Sequence, residues 1–375
     1  MGAKGGGMGI IGTKVNGWTG LCALAVVLAL TAGCASRTHT PRSREYYRGP
    51  VSSHFDGERF FNPDGESGTG GAQHDGRKNF LEIALGKAGH HDWPKSVPVH
   101  QTVPPRHVQG DDLRVTWIGH ATSLIQTQGV NILIDPVWAW RDSPVQLVGP
   151  RRVREPGVKL EDLPPIDAIL ISHNHYDHLD IDALKFLVRR DKARIITGLG
   201  NDKLLSYHGL EAWAGDWGSV APLKPGIDII LTRAHHWSAH WIDDRDRSLW
   251  VGFRITLPGG DIYYAGDTGP GDMQWAPEAK GASPVRLALL PIGPYKMTGP
   301  QTGNHILPEE AVAAFGQLNA AYALGVHWGT FELGGEPIDD PPLRLRAAME
   351  ARHLDPFRFR TLDAGESWMV PALSR

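Results

Sequence analysis

From Leu113 onward, short runs rich in β-branched and aromatic residues recur between turn residues: LRVTWIG (113–119), SLIQTQ (123–128), NILIDP (131–136), DAILIS (167–172), RIIT (194–197), DIILT (228–232), RITL (254–257) and DIYYAG (261–266). Their length and composition predict strands. Helical spacing of apolar residues predicts helices over 181–190, 308–318 and 343–352. No segment repeats at a fixed short period. Strands in runs with helices inserted after them predict an α/β fold, a layered sandwich. Several of these strands end in His or Asp, so loops at one rim are expected to build a site.

Before Leu113 the pattern is different. Residues 35–109 are rich in Gly, Pro, Ser, Arg and His, which reads as a tether and extension with one helix, 79–87. Earlier still, Lys4 and Lys14 precede the apolar run LCALAVVLALTAGC (21–34), the layout of an export signal. The run falls short of the roughly 20 residues a spanning helix needs, which disfavours a retained anchor. LTAGC (30–34) resembles a bacterial lipobox, with Thr31 where leucine is more usual, so Cys34 is the expected lipidation site. Ala35 after it implies the outer membrane, with the protein facing the periplasm. The expected organisation is thus a signal segment (1–33), a tether (34–109) and one catalytic domain (110–375).

The chain of 375 residues, 41% hydrophobic and 21% charged, is long enough to bury a substantial core. Its two cysteines are Cys22 and Cys34; cleavage before Cys34 leaves no thiol pair, so no disulfide is expected to hold the fold. A bound metal would have to be held by His, Asp or Glu. Losing residues 1–33 removes two lysines and no acid, moving the formal charge from −3 to −5. That argues against a nucleic-acid partner.

The densest chemistry is ISHNHYDHLD (171–180), directly behind an apolar strand. In H-x-H-x-D-H, alternate residues of an extended turn can point the same way. His173 and His175 can then share one cation while Asp177 and His178 turn toward a second. Imidazole and carboxylate suit zinc, and two such clusters side by side suit a metal pair. The plainer alternative is a polar loop in which Asp177 or Asp180 caps the following helix. Downstream, AHHWS (234–238) offers His235 or His236, either of which could be a ligand by composition alone. Asp267 closes a β-rich run, and His327 follows the apolar stretch 321–326.

The motif resembles the signature of the metallo-β-lactamase-fold hydrolases, which implies a four-layer αββα sandwich with a metal pair at one edge. LEDLPPIDAILISHNHYDHLD (160–180), AHHWS, YYAGDTG (263–269), LPIGPY (290–295), NHILPEEAV (304–312) and GVHWGTF (325–331) sharpen the match. Together they resemble N-acylphosphatidylethanolamine-hydrolysing phospholipase D and its bacterial relatives, from about residue 113 to 367, with a fainter echo at RFFNPD (59–64). The resemblance implies two zinc ions: His173, His175 and His236 on one, Asp177, His178 and His327 on the other, and Asp267 bridging them. It makes Asp135 an acceptor that fixes a ligand histidine, and places His305 near the substrate phosphate. Tyr176 is a candidate to face the substrate. His120, with no ligand partner in the sequence, reads as structural. Thirteen tryptophans are more than usual; most read as core, and aromatic rims also suit lipids.

The implied activity is hydrolysis of a phospholipid phosphodiester, giving phosphatidic acid and an N-acylethanolamine. Two alternatives stay open: a hydrolase of this fold acting on a lactone or another phosphodiester, and a non-catalytic zinc-binding envelope lipoprotein. KMTGPQTGNH (296–305) departs from the animal relatives, which carry a tryptophan there, and so puts the lipid pocket in doubt.

Overall fold

Two seven-stranded sheets carry the fold. The first contains β1 (Leu113–Gly119), β2 (Thr122–Thr127), β3 (Val130–Ile134), β4 (Ala168–Ile171), β5 (Arg194–Gly198) and β6 (Ala212–Gly215), with β14 (Ser367–Val370) added from the far end of the chain. The order is β14-β1-β2-β3-β4-β5-β6. The second contains β7 (Val220–Lys224), β8 (Ile227–Thr232), β9 (Gly252–Ile255), β10 (Asp261–Tyr264), β11 (Val285–Pro291), β12 (Tyr322–Val326) and β13 (Phe359–Arg360), in the order β13-β12-β11-β10-β9-β8-β7. In each sheet one half is antiparallel and the other parallel: β3 to β6 run parallel in the first, and β10 to β13 in the second.

The coordinates are a computed structural model that describes residues 44–65, 93–297 and 303–373, together with Gly2. The export signal, Cys34 and the helix expected at 79–87 lie outside the described residues.

Alternation along the strands explains the layering. In β3 and β4, Ile132, Ile134, Ala168 and Leu170 point into the core between the sheets, while Leu133, Ile169 and Ile171 point outward. The outward set is covered by Leu184 and Leu187 of α1 (Ile181–Asp191) and Leu204 and Leu205 of α2 (Asn201–Tyr207). On the second sheet, Leu287 and Leu289 of β11 share a cluster with Val312, Phe315 and Leu318 of α4 (Pro308–Leu318) and Leu345 and Met349 of α5 (Asp340–Ala351). The short α3 (Trp275–Glu278) buries Trp275 there too. The result is the four-layer αββα sandwich. Burying each large aliphatic side chain is worth about 1.5–3 kcal/mol.

Of the tether expected over 34–109, the described residues 44–65 and 93–109 belong to the folded body instead. One compact unit runs Arg44–Arg375. Phe55 and Phe60 are 1% and 2% exposed in the central core, and Gln126 and Asn131 donate to the carbonyls of Pro105 and Arg106. A Pro- and Gly-rich composition signalled loops correctly, but buried aromatics and paired carbonyls hold those loops to the body. The helix expected at 343–352 begins earlier, at Asp340, with prolines in its first turn, where a missing N–H costs nothing.

Candidate metal centre

The parallel strands deliver the site. Asp135 follows β3, the H-x-H-x-D-H segment follows β4, Asp267 follows β10 and His327 follows β12, all at carboxyl ends. Ligands in open α/β sheets collect at such ends. His236 arrives after β8 and His305 in the loop after β11. Three residues here, His120, Asp135 and His327, hold positive φ of 53°, 39° and 64°. Such left-handed backbone costs about 1–3 kcal/mol per residue and clusters at functional sites. Gly266, φ 66°, precedes Asp267; a Cβ there would lie 2.8 Å from the Val251 carbonyl.

The structure brings all seven expected ligands together, each 5% exposed or less except the half-buried His175. His173 Nε2 lies 2.8 Å from His175 Nδ1, and the rings of His173 and His236 are 4.8 Å apart, forming one set. In the other, His327 Nε2 is 3.3 Å from Asp177 Oδ2 and 2.9 Å from His178 Nε2. Asp267 stands between the sets. Its Oδ2 is 3.0 Å from His327 Nε2 and 3.2 Å from His178 Nε2, and 3.8 Å and 4.0 Å from the Nε2 atoms of His236 and His173.

Hydrogen bonds on the far side of three of the rings fix their tautomers. His178 Nδ1 donates to Asp135 Oδ2 at 2.7 Å, His327 Nδ1 to the Gly293 carbonyl at 2.6 Å, and His236 Nδ1 to the Asn304 carbonyl at 3.0 Å. In the neutral rings the Nε2 lone pairs then point inward. Those of His178 and His327 face one another at 2.9 Å, a contact that a shared proton or a cation relieves. His236 Nε2, Asp267 Oδ1 and His305 Nδ1 are buried with no hydrogen-bond partner. Asp135, Asp177 and Asp267 are buried carboxylates, and among the described residues none is paired with a lysine or arginine. Buried charge of that kind calls for compensation. The donor set, imidazole and carboxylate without sulfur, fits zinc.

Titration follows the same division. Burial pushes His175 and His236 down to about 3, and His173 well below its usual range. For His327 burial works downward too, but the carboxylates of Asp267 and Asp177 outweigh it and draw the ring up to about 9. Burial opposes ionisation of Asp177 and Asp267 as well, yet the surrounding histidines hold both well below the usual carboxylate range.

The capping alternative resolves into two roles. Asp180 caps α1, its Oδ1 accepting from Asp182 N and Ala183 N, which leaves Asp177 for the site. His236 is the ligand candidate of the adjacent pair, since His235 Nδ1 turns away to Asp64 at 2.9 Å. Asp135 takes four hydrogen bonds, from Ser172 N, Ser172 Oγ, His178 Nδ1 and Tyr264 Oη. His305 lies with its Nδ1 3.8 Å from Asp267 Oδ2. The Tyr176 hydroxyl donates to the His240 carbonyl, with its ring 4.2 Å from that of His240.

His120 has a partner the sequence did not reveal: its Nε2 meets Asp177 Oδ2 at 2.9 Å, and its carbonyl accepts from His327 N. It joins Asp177, His178 and His327 as one buried group. Ser172, which links Asp135 to the ring of His173, was also missed. Its place directly before the first motif histidine was the available signal.

The Beta-lactamase superfamily domain matches residues 130–328. N-acyl-phosphatidylethanolamine-hydrolyzing phospholipase D 1 of Caenorhabditis elegans is 34% identical over 331 residues, covering 83% of this chain and 92% of that protein. The mitochondrial N-acyl-phosphatidylethanolamine-hydrolyzing phospholipase D of Saccharomyces cerevisiae is 33% identical over 242 residues, 63% of this chain and 51% of that protein. Among solved structures, Igni18, a metallo hydrolase of the archaeon Ignicoccus hospitalis, is 26% identical with a TM-score of 0.52, covering 68% of this chain and 97% of that one. With a His/Asp cluster at the carboxyl ends of its strands and a sequence matched across the sandwich, the chain belongs to the β-lactamase superfamily, as a metallo-β-lactamase-fold hydrolase related to N-acylphosphatidylethanolamine-hydrolysing phospholipase D.

Proposed function

We propose that this protein is a dinuclear zinc phosphodiesterase of the phospholipase D type. Its substrate is an N-acylphosphatidylethanolamine-like lipid, and its products are phosphatidic acid and an N-acylethanolamine. The observation that carries the reading is the convergence of five histidines and two aspartates on one buried point, in a chain 34% identical to such a phospholipase over nearly that protein's whole length.

His173, His175 and His236 would hold one zinc, Asp177, His178 and His327 the other, with Asp267 shared. Bound there, zinc would supply Lewis acidity toward a phosphoryl oxygen and lower the pKa of water. The chain's own residues orient and neutralise. Asp135, Gly293 and Asn304 keep the ligand lone pairs aimed inward through the ring protons they accept. His305, 9% exposed on its side chain and pushed down to about 3 by burial, presents a neutral imidazole toward the space beside Asp267 where a phosphate would sit. The ring of Tyr176 offers an apolar face to the substrate, its hydroxyl proton being committed to His240.

Lipidation at Cys34 would place the enzyme at the outer membrane, facing the periplasm and beside its substrate. Among the described residues no helix is long and apolar enough to cross a membrane.

The test incubates the zinc-loaded protein with N-acylphosphatidylethanolamine and measures phosphatidic acid, with His175→Ala as control. Release by the parent alone supports the reading. Two bound zincs and cleavage of another phosphodiester or a lactone, without phosphatidic acid, would discard the lipid substrate and keep the hydrolase. Cys34→Ser should move the protein out of the membrane fraction.

A further inference from the structure

Residues 59–64 precede the matched superfamily domain by more than sixty positions, yet two of them grip the paired histidines after β8. Asn62 is 3% exposed and clamps the backbone of His236 at both ends. Its Nδ2 donates to the His236 carbonyl at 2.8 Å, and its Oδ1 accepts from His236 N at 3.2 Å. Trp250 Nε1, in the core, steadies the same oxygen at 3.2 Å. A primary amide offers donor and acceptor together, which neither a carboxylate nor an alkyl group can do.

Asp64 acts on the neighbouring residue. Its Oδ2 accepts from His235 Nδ1 at 2.9 Å and from Asp272 N at 2.8 Å, and its Oδ1 pairs with Arg233 at 3.0 Å. His235 N donates to Thr268 Oγ1, one residue beyond Asp267. The close approach needs Gly271: a Cβ there would fall 2.3 Å from Asp64 Oδ2 and 2.4 Å from His235 Nδ1.

Two adjacent imidazoles are chemically alike, so the choice of ligand must be imposed from outside the pair. We propose that Asn62 and Asp64 are positioning residues that make this choice: Asn62 fixes the peptide so that His236 enters the metal centre, and Asp64 holds the rival His235 ring out of it. The proposal rests on the metal-centre reading above.

The test titrates the stripped full chain with cobalt(II), following calorimetric affinity and the visible spectrum, which reports ligand identity and geometry. The proteins are wild type, Asn62→Ala, Asp64→Ala, and Asp64→Ala combined with His235→Ala. Wild type should bind two equivalents; if it binds none, the metal-centre reading fails and the proposal with it. Asn62→Ala and Asp64→Ala should each weaken one equivalent roughly ten- to a hundred-fold, with an altered spectrum, because partners that orient ligands affect metal affinity by about that much. Deleting His235 as well should restore the wild-type spectrum to Asp64→Ala. Wild-type affinities and spectra in both single variants, with only a lower melting temperature, would reduce residues 59–64 to a structural prop and overturn the proposal. Failure of the double variant to recover would overturn the role given to Asp64. Should Asn62→Ala not fold, the Asp64 pair decides alone.

Discussion

Asp135 Oδ2 lies 2.7 Å from His178 Nδ1, and the same carboxylate accepts from Ser172 and Tyr264. A carboxylate buried behind the His178 ring thereby sets the direction of the lone pair on its Nε2. The arrangement also ties the ends of β3, β4 and β10 to one another. Asp135→Asn replaces one acceptor oxygen with a donor. Zinc affinity of the Asp177, His178 and His327 set should fall roughly ten- to a hundred-fold, measured by competition with a chromophoric chelator. Unchanged affinity would show that His178 holds its orientation without the carboxylate.

Acid and base should act on the metal-free protein from opposite sides. His327, drawn up to about 9, adds stability that is fully present below its unfolded value near 6.5 and lost as pH rises through about 9. His120, His175, His236 and His305, pushed down to about 3 by burial, act in the other sense, and their contribution is lost as pH falls below about 6.5. Melting temperature after chelation should therefore peak near pH 6.5, and zinc at a thousand times its Kd should add about 4 kcal/mol. A metal-free melting temperature that keeps climbing from pH 6.5 to 9 would contradict this account.

His305 lies beside Asp267, outside the two sets proposed to hold zinc. His305→Ala should retain two zinc equivalents by elemental analysis while kcat falls roughly a hundred-fold, the lower range for a lost proton-transfer or charge-stabilising group. Loss of one zinc would make it a ligand instead.

Asp180 joins the helix after the motif to the loop after β3. Its Oδ1 caps α1, and its Oδ2 accepts from Trp138 N and Ala139 N at 3.0 and 2.9 Å. Asp180→Ala removes a cap worth about 1 kcal/mol and strands two amides, for a total cost of about 2–4 kcal/mol in urea unfolding. A cost below about 0.5 kcal/mol would show that water replaces the carboxylate.

Much of the architecture was legible because its strands are short β-branched and aromatic runs bounded by turn residues. The run 113–119 is β1 residue for residue, and the helical spacing over 308–318 is α4. Strands outside such runs escaped: β11, VRLALLP, has one β-branched residue among leucines and alanine, and β6 and β7 stand at sheet edges with partly exposed side chains.

The same boundary runs through the site. The sequence by itself determined the types of the candidate ligands, the H-x-H-x-D-H spacing and the strand that mounts it, because those are local matters of residue identity and backbone pitch. Only the tertiary structure decided that His236 and not His235 turns inward, that His120 braces Asp177, and that residues 59–64 belong to the folded body. The direction of an imidazole lone pair depends on what its other nitrogen meets, and here those partners, Asp135, Gly293 and Asn304, arrive from strands and loops remote in sequence.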